Sequence, residues 1–439
     1  MTRRFSRFLS DRRGNILPMF GLTLIPLVGL IGAAVDYSRA NAIKAAIQAS
    51  LDATALAMAS KAPSLSATDL TTQAQAYFDA LFIKYGTTKV PLNVSYTATP
   101  SPQITVSGQT TVNMMFMRIP GFGINTLTVG GASTAAWGNT RLRVALALDN
   151  TGSMADSGKM TALKTAAKNL IDQLSAVATN DGDVYISIIP FAKDVNVGTG
   201  SVSATWLNWY SWEETNGDCT GNNSNYDASR TACQAAGRTW TPDSHSTWTG
   251  CVTDRDQLFN TTGDAPTSTN THTLFPAEQY SNCPVALMPL SYNWTNLKNK
   301  IDSMTPNGNT NTTIGLEWGW HSLMQGAPLS APAESTSYQY NKVIIFMTDG
   351  TNTQDRYDTS PYDGSTQQQN IDNRFSTACT NAKTAGITIY TIQMIDGNDQ
   401  LLKNCATSSD KYFKVTASSQ TVGVFAQIGT SLSRLRVAK

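Results

Sequence analysis

Four stretches of this chain, RLRVALALD, VYISIIPF, KVIIFMTDG and GITIYTIQM, stay apolar where a half-exposed strand would alternate with polar residues. Such strands must be buried on both faces, which requires covering layers above and below the sheet. Helical or loop sequence separates each from the next, and a shorter strand follows near YFKVTA. This interleaving predicts an α/β fold: a doubly wound, mostly parallel sheet with helices on both faces. Met160, Leu163, Ala167, Leu170, Ile171 and Leu174 give the helix from Lys159 one apolar face, and Phe425, Ile428, Leu432 and Leu435 do the same for the closing helix. A chain of 439 residues exceeds what one core supports, so two or three units are expected.

The N-terminus is of another kind. MTRRFSRFLSDRRGN carries five arginines, and Ile16 to Val35 then run twenty residues without a charge, enough to span a bilayer. The span is longer than the apolar region of a cleavable signal, so it reads as a retained transmembrane helix. Arginines flank only its first end, which leaves residues 1–35 as a cytoplasmic basic stub and anchor, with everything after Asp36 outside the cytoplasm. Residues 36–139 read as a small α+β stalk. Its Ala-rich helix has Ile43, Ile47, Leu51, Ala55 and Met58 on one face, and Val/Thr-rich strands follow between about Lys89 and Trp137.

From Thr140 to Lys439 the α/β grammar holds except between about 200 and 289, where Asn, Thr, Ser, Gly and Trp dominate without sustained period. This reads as an insertion between two sheet elements. It holds Cys219, Cys233, Cys251 and Cys283; the other two cysteines, Cys379 and Cys405, flank GITIYTIQM. With no C-x-x-C and three histidines, disulfides in an oxidising compartment are expected rather than zinc. A Cys379 to Cys405 bridge is predicted, with the insertion cysteines pairing among themselves in one of three ways. Trp206, Trp209, Trp212, Trp240 and Trp248 read as a small disulfide-held core rather than a sugar platform. His321 falls at helical spacing from Trp318 and Ile314 and is expected to be packed and hydrogen-bonded.

In open α/β sheets, ligands bind beyond the carboxyl ends of the strands. Asp149, Thr151 and Ser153 follow the first strand, where an extended loop would point alternate side chains to one side. Thr310 lies in GNTNTTIG before a helix, and Asp349 ends VIIFM. Two carboxylates and three hydroxyls suit a small hard cation, magnesium first and manganese or calcium as alternatives, with coordination left over for a ligand's carboxylate. The 32 basic and 31 acidic residues almost cancel, which argues against nucleic-acid binding. H-E-x-x-H, G-x-S-x-G, P-loop and G-x-G-x-x-G patterns are absent, which removes the common enzyme signatures.

VALALDNTGSM, GNTNTTIGL and VIIFMTDG resemble the three loops of the metal-ion-dependent adhesion site of von Willebrand factor A domains. The resemblance implies that fold, and a divalent metal held by Asp149, Thr151, Ser153, Thr310 and Asp349; Thr151 stands where the family has serine and keeps the hydroxyl. RRGNILPMFGL, GAAVDYSRA and IQASLDATALAMA, with ACTNAKTAGITIYTIQM, LLKNCATSSDKYF and LSRLRV at the other end, are similar to TadG-like proteins of Tad (Flp) pilus assembly. Pilin-like relatives carry a glutamate five residues beyond the cleaved glycine, but counting from Gly14 that position is Met19, which favours a permanent anchor. The implied function is non-enzymatic: a bacterial inner-membrane, single-pass protein whose extracytoplasmic domain docks a carboxylate-bearing protein partner through the metal. Its rivals are a surface adhesin for an external protein or glycan, and a hydrolase with an unrecognised site.

Overall fold

The computed structural model describes residues 16–83, 89–98, 102–118, 123–136, 140–221, 228–336 and 338–437. The arginine cluster and Gly14 lie outside the described residues, as does the side chain of Leu435. Contacts divide the chain into two compact units that meet at residues 139 and 140.

In the first unit, α1 (Ile16–Ala59) is one continuous helix and α2 (Ala67–Leu81) follows it; β1 (Leu92–Thr97), β2 (Gln103–Asn113) and β3 (Thr126–Ala136) form an antiparallel sheet. Ala40, Ile43, Ile47, Leu51, Ala55 and Met58 of α1 are buried with Ile104 and Val106 of β2 and Val129 of β3, so the apolar stripe packs on the strands that follow it. Upstream the helix is bare: Met19 is 72 % and Leu22 75 % exposed. The change falls at Gly32, where a Cβ would lie 2.5 Å from that of Phe116, and at Asp36, whose carboxylate accepts the N–H groups of Met115, Phe116 and Met117 at 2.7–3.0 Å. The sequence reading missed α2, although Ser66 caps it by accepting the Asp69 N–H, an S-x-x-D start signal.

The second unit begins with β4 (Thr140–Asp149), α3 (Lys159–Ala176) and β5 (Val184–Phe191). β6 (Val195–Asn196) follows, just before the insertion, which supplies β7 (Leu207–Asn208), α4 (Tyr210–Thr215), β8 (Gly217–Cys219), α5 (Arg230–Ala235), β9 (Trp240–Pro242), β10 (Cys251–Val252) and β11 (Phe275–Glu278). After it come β12 (Met288–Ser291), α6 (Trp294–Ser303), α7 (Thr312–Ser322), β13 (Gln339–Thr348), α8 (Thr366–Thr384), β14 (Thr388–Met394), α9 (Asp399–Cys405), β15 (Tyr412–Val415) and α10 (Thr421–Val437). Strands β15, β14, β13, β4 and β5 lie side by side, all parallel, and β12 runs antiparallel along β5. The sequence reading missed β12, a four-residue strand carrying Pro289, a residue tolerated at a sheet margin.

Why the strands read as uninterrupted is visible in β4. Leu142, Val144, Leu146 and Leu148 face the core covered by α3, α6 and α10, while Ala145 and Ala147 face the one covered by α7, α8 and α9. Each fully buried leucine contributes roughly 1.5–3 kcal/mol.

The insertion does more than hang from the sheet. β6 pairs with the end of β5, β10 with β6, β11 with β10 and β7 with β11, so it extends the sheet from within. The pairs Cys219–Cys233, Cys251–Cys283 and Cys379–Cys405 are bridged. Trp212 and Trp248 are buried in the main core, and Trp240 is buried against Cys219 and Cys233. Helix α7 is buried on every side. His321 is packed there as expected but is not hydrogen-bonded: neither ring nitrogen has a partner, because Phe275 and Trp318 surround it with aromatic carbon. Burial, with Arg255 nearby, holds it well below the usual histidine range, so it is neutral.

Candidate metal centre

The strand order reverses beside β4: the chain leaves it for β5 on one side and returns to its other side as β13. A crevice at the carboxyl ends of two such strands is where the connecting loops part. Asp149 ends β4, and Asp349 directly follows β13.

Asp149 is fully buried. One of its oxygens accepts the Thr151 N–H at 2.8 Å; the other accepts the Thr348 hydroxyl at 2.6 Å. The first of these bonds bends the chain back through an Asx turn. The loop is therefore not extended: Gly152–Ala155 make a 3₁₀ turn. The two hydroxyls still meet, with Thr151 Oγ1 3.0 Å from Ser153 Oγ, and Ser153 donates to Asp349 Oδ1 at 2.6 Å across 196 residues of sequence.

The loop before α7 approaches from the other side, where Gly308 O accepts the Gly152 N–H at 2.9 Å. Gly308 has φ +85, and the Tyr280 hydroxyl stands 2.7 Å from where a Cβ would be, so glycine is required twice over. Thr310 donates its N–H to Thr353 Oγ1 at 2.8 Å. A methyl built on Gly350 would lie 3.6 Å from Ser153 Oγ and 4.0 Å from Thr310 Oγ1, which puts both hydroxyls over one short piece of backbone. Ser153, Thr310 and Asp349 thus line one cleft of about 620 Å³, and Asp149 and Thr151 lie buried behind it.

The sequence reading missed Lys159, the first residue of α3. Its ammonium is buried and bonds Asp349 Oδ2 at 2.8 Å, with Asp396 at 3.6 Å. Burial works to lower its pKa, but the two carboxylates outweigh it and the net direction is up. A signal existed, because a lysine at a helix N-terminus opposes the macrodipole and needs a local reason. Asn352 was missed too: its side chain accepts the Thr312 N–H at 2.8 Å at the start of α7, with no pattern in the sequence to announce it.

Burial, and then the charge of Asp349, push Asp149 up to about 6. Nearby, burial and Asp355 push Asp254 up to about 7, and burial takes Glu317 up to about 8 against the pull of Arg255. A carboxyl whose folded value is raised stabilises the fold below its unfolded pKa, and that contribution is lost as pH rises through the folded value. With chelator present, melting temperature should therefore fall as pH climbs from about 5 to about 8, a trend that scanning fluorimetry at constant ionic strength would read directly.

Residues 14–60 match the family model for Flp pilus-assembly TadE/G-like proteins, and residues 267–427 match that of the von Willebrand factor type A domain. The second match takes in Thr310 and Asp349 but starts inside the insertion, beyond Asp149. Among solved structures, the chain is similar to proximal thread matrix protein 1 of the mussel byssus, at 13 % identity over 68 % of this chain and 48 % of that one, TM-score 0.34. It is also similar to the pilus adhesin SpaC of Lactobacillus rhamnosus GG, at 12 % identity over 79 % and 35 %, TM-score 0.38. A third is the vWF domain of the type V pili tip protein Mfa5 of Porphyromonas gingivalis, at 11 % identity over 68 % and 96 %, TM-score 0.37. The chain spans about half the length of the mussel protein and about a third of the adhesin. No curated protein matches it.

Proposed function

We propose, from a chain that joins a TadE/G-like segment to a von Willebrand factor type A domain, that this is a membrane-anchored, extracytoplasmic component of Tad-type pilus assembly. Its A domain holds magnesium through Asp149, Thr151, Ser153, Thr310 and Asp349, and docks a partner protein's carboxylate there. The observation that carries this reading is the 2.6 Å contact of Ser153 with Asp349, which joins the loop outside the matched residues to the strand inside them. The donor set fits a hard dication: oxygens only, with a buried carboxylate whose neighbour is a second one. Bound metal would supply positive charge and an open position for an incoming carboxylate. The chain's own residues fix that position: Thr348 and the Thr151 N–H orient Asp149, Lys159 holds one oxygen of Asp349, and Thr353 and Gly308 set the Thr310 loop. This is binding chemistry, and the module acts as an interaction domain.

The exposed apolar start of α1 supports the anchor, since Met19–Ala59 is long and apolar enough to cross a bilayer. A periplasmic reporter fused after Lys439 should be active, and a cytoplasmic one at the same position inactive; the reverse pattern would remove both the topology and the oxidising compartment. The function itself is tested by affinity purification of the full-length protein from gently solubilised membranes. A pilus-assembly partner should co-purify in magnesium and be released by chelator, and a deletion strain should lack pili. The rival reading, a surface adhesin for an external protein or glycan, relied on the insertion tryptophans as reader, of which Trp212, Trp240 and Trp248 are buried.

A further inference from the structure

The tip of the β2–β3 hairpin, described over residues 114–118 and 123–125, lies against the helix turn where the uncharged run of α1 ends. Phe116 packs on Gly32, inside the run Ile16–Val35, and Asp36, the next residue after that run, takes the N–H groups of Met115, Phe116 and Met117. At the rise of an α-helix, Gly32 sits about 5 Å before the end of a run that is about 30 Å long, the thickness of a bilayer's hydrocarbon core. The tip is thereby fixed at the level where such a helix leaves the lipid. Its outer side is apolar and bare: Met115 is 65 % and Ile124 41 % exposed.

The backbone of the tip suits a place without water. Besides the three N–H groups that Asp36 accepts, Met114 donates to the Asn125 carbonyl at 3.0 Å and Ile124 to that of Met117 at 3.2 Å. A loop in water has no need to pair these donors internally, whereas at the margin of hydrocarbon each unpaired one is costly. The side chains agree. Residues 113–125, NMMFMRIPGFGIN, hold one arginine and no acidic residue. Arg118 and Tyr37 are both exposed, a cation that can reach lipid phosphates and an aromatic ring with a polar end, the residue types that gather where a bilayer meets water. A soluble partner or a second copy would have to displace lipid to reach Phe116, whereas the leaflet is already the neighbour of the helix turn on which Phe116 rests.

We propose that this tip inserts into the extracytoplasmic leaflet beside the anchor, which gives the stalk a second membrane contact and fixes its rotation about α1. The inference rests on reading Ile16–Val35 as a bilayer span, and the test keeps the two apart. Full-length protein carrying one substitution, Met115→Cys, Leu27→Cys or Thr97→Cys, is labelled with bimane and reconstituted into liposomes of phosphatidylethanolamine and phosphatidylglycerol, with or without nitroxide on the acyl chains. The native cysteines are all bridged, so the label goes to the added one, and the three positions are exposed, so the variants keep the fold. Thr97 pairs with Gln103 at the far end of β2, about 30 Å from the tip by the rise of a strand. Nitroxide lipid should remove most of the fluorescence at positions 27 and 115 and almost none at position 97. Quenching at 27 without quenching at 115 would overturn the proposal and leave the anchor standing; no quenching at 27 would remove both. Shielding of the label at 115 from aqueous iodide without lipid quenching would mean that a protein covers the tip, and equal quenching at 97 and 115 that the stalk lies flat on the lipid; either result also overturns it.

Discussion

Replacing Asp149 by Asn is expected to abolish magnesium-dependent stabilisation and, at the same time, to raise the melting temperature of the chelated protein. The two effects share one cause. Asp149 is fully buried beside Asp349, and its carboxyl is pushed up to about 6 by burial first and by that neighbour second. At pH 7.5 without metal, holding it ionised works against the fold, and the amide removes that cost while keeping an oxygen for the Thr151 N–H. With metal, the same charge is half of the formal negative charge facing the ion. Saturating magnesium at about 100 times its Kd should stabilise the wild type by about 2.7 kcal/mol, and Asp149→Asn by close to nothing. Calorimetric titration of magnesium and manganese into wild type, Asp149→Asn and Asp349→Ala separates this from a general loosening. Equal affinity in all three would mean the loops are ordinary turns.

The parts of this architecture that were legible in sequence are those with a single physical author. Residues 144–148 are apolar because two cores claim alternate side chains, so a doubly wound sheet could be read from that segment and its three counterparts. Asp149 and Asp349 stood out as carboxylates closing buried strands, where a charge has to have a use. The parts that were not legible arise from tertiary contact. Lys159 at a helix start hints at a local partner but does not say that the partner is Asp349, 2.8 Å away, and nothing near Asn352 announces that it steadies α7. The 3₁₀ turn at Gly152–Ala155 escaped because an Asx turn depends on one hydrogen bond, not on residue type alone.

The insertion was the least legible segment, since its short strands carry no period and pair only with residues far away. Its consequence for the site is nonetheless direct. Tyr280 accepts the Asn309 N–H at 3.1 Å, next to Thr310, and Asp254 accepts from Asn311 at 2.8 Å and from the Arg356 N–H at 3.2 Å. The Cys251–Cys283 bridge closes the stretch that carries both contacts. Two of the three loops that form the cleft are thus braced by residues of the insertion, Asp254 before the stretch that matches the A-domain model and Tyr280 inside it.

That bracing hangs on Arg255, and Arg255→Met is expected to be the most damaging single change in the insertion. The guanidinium is fully buried and donates to Glu317 on α7 at 2.5 Å, to the Asp264 carbonyl at 2.7 Å, and to the Phe259 and Thr262 carbonyls at 2.6 Å each. Methionine fills much of the volume but leaves the Asp264 and Thr262 carbonyls and the Glu317 carboxyl without their donor, while the Phe259 carbonyl keeps the Thr262 N–H. The loss should be about 3–5 kcal/mol, on the order of 10 °C in melting temperature. Glu317→Gln should cost far less, although it removes the other half of the same ion pair. Burial pushes Glu317 up to about 8, so near pH 7 the carboxyl is largely protonated, and an amide oxygen can accept from Arg255 in its place. Thermal melts of the two variants at pH 7 therefore discriminate between two accounts of the contact. If Arg255→Met falls steeply and Glu317→Gln barely moves, the arginine acts chiefly through the three carbonyls that shape the 255–264 loop; if both fall equally, the charge pair itself holds the insertion to α7. In the first case magnesium affinity of Arg255→Met should also weaken, because Asp254 is its immediate neighbour in the chain and holds the loop beside Thr310.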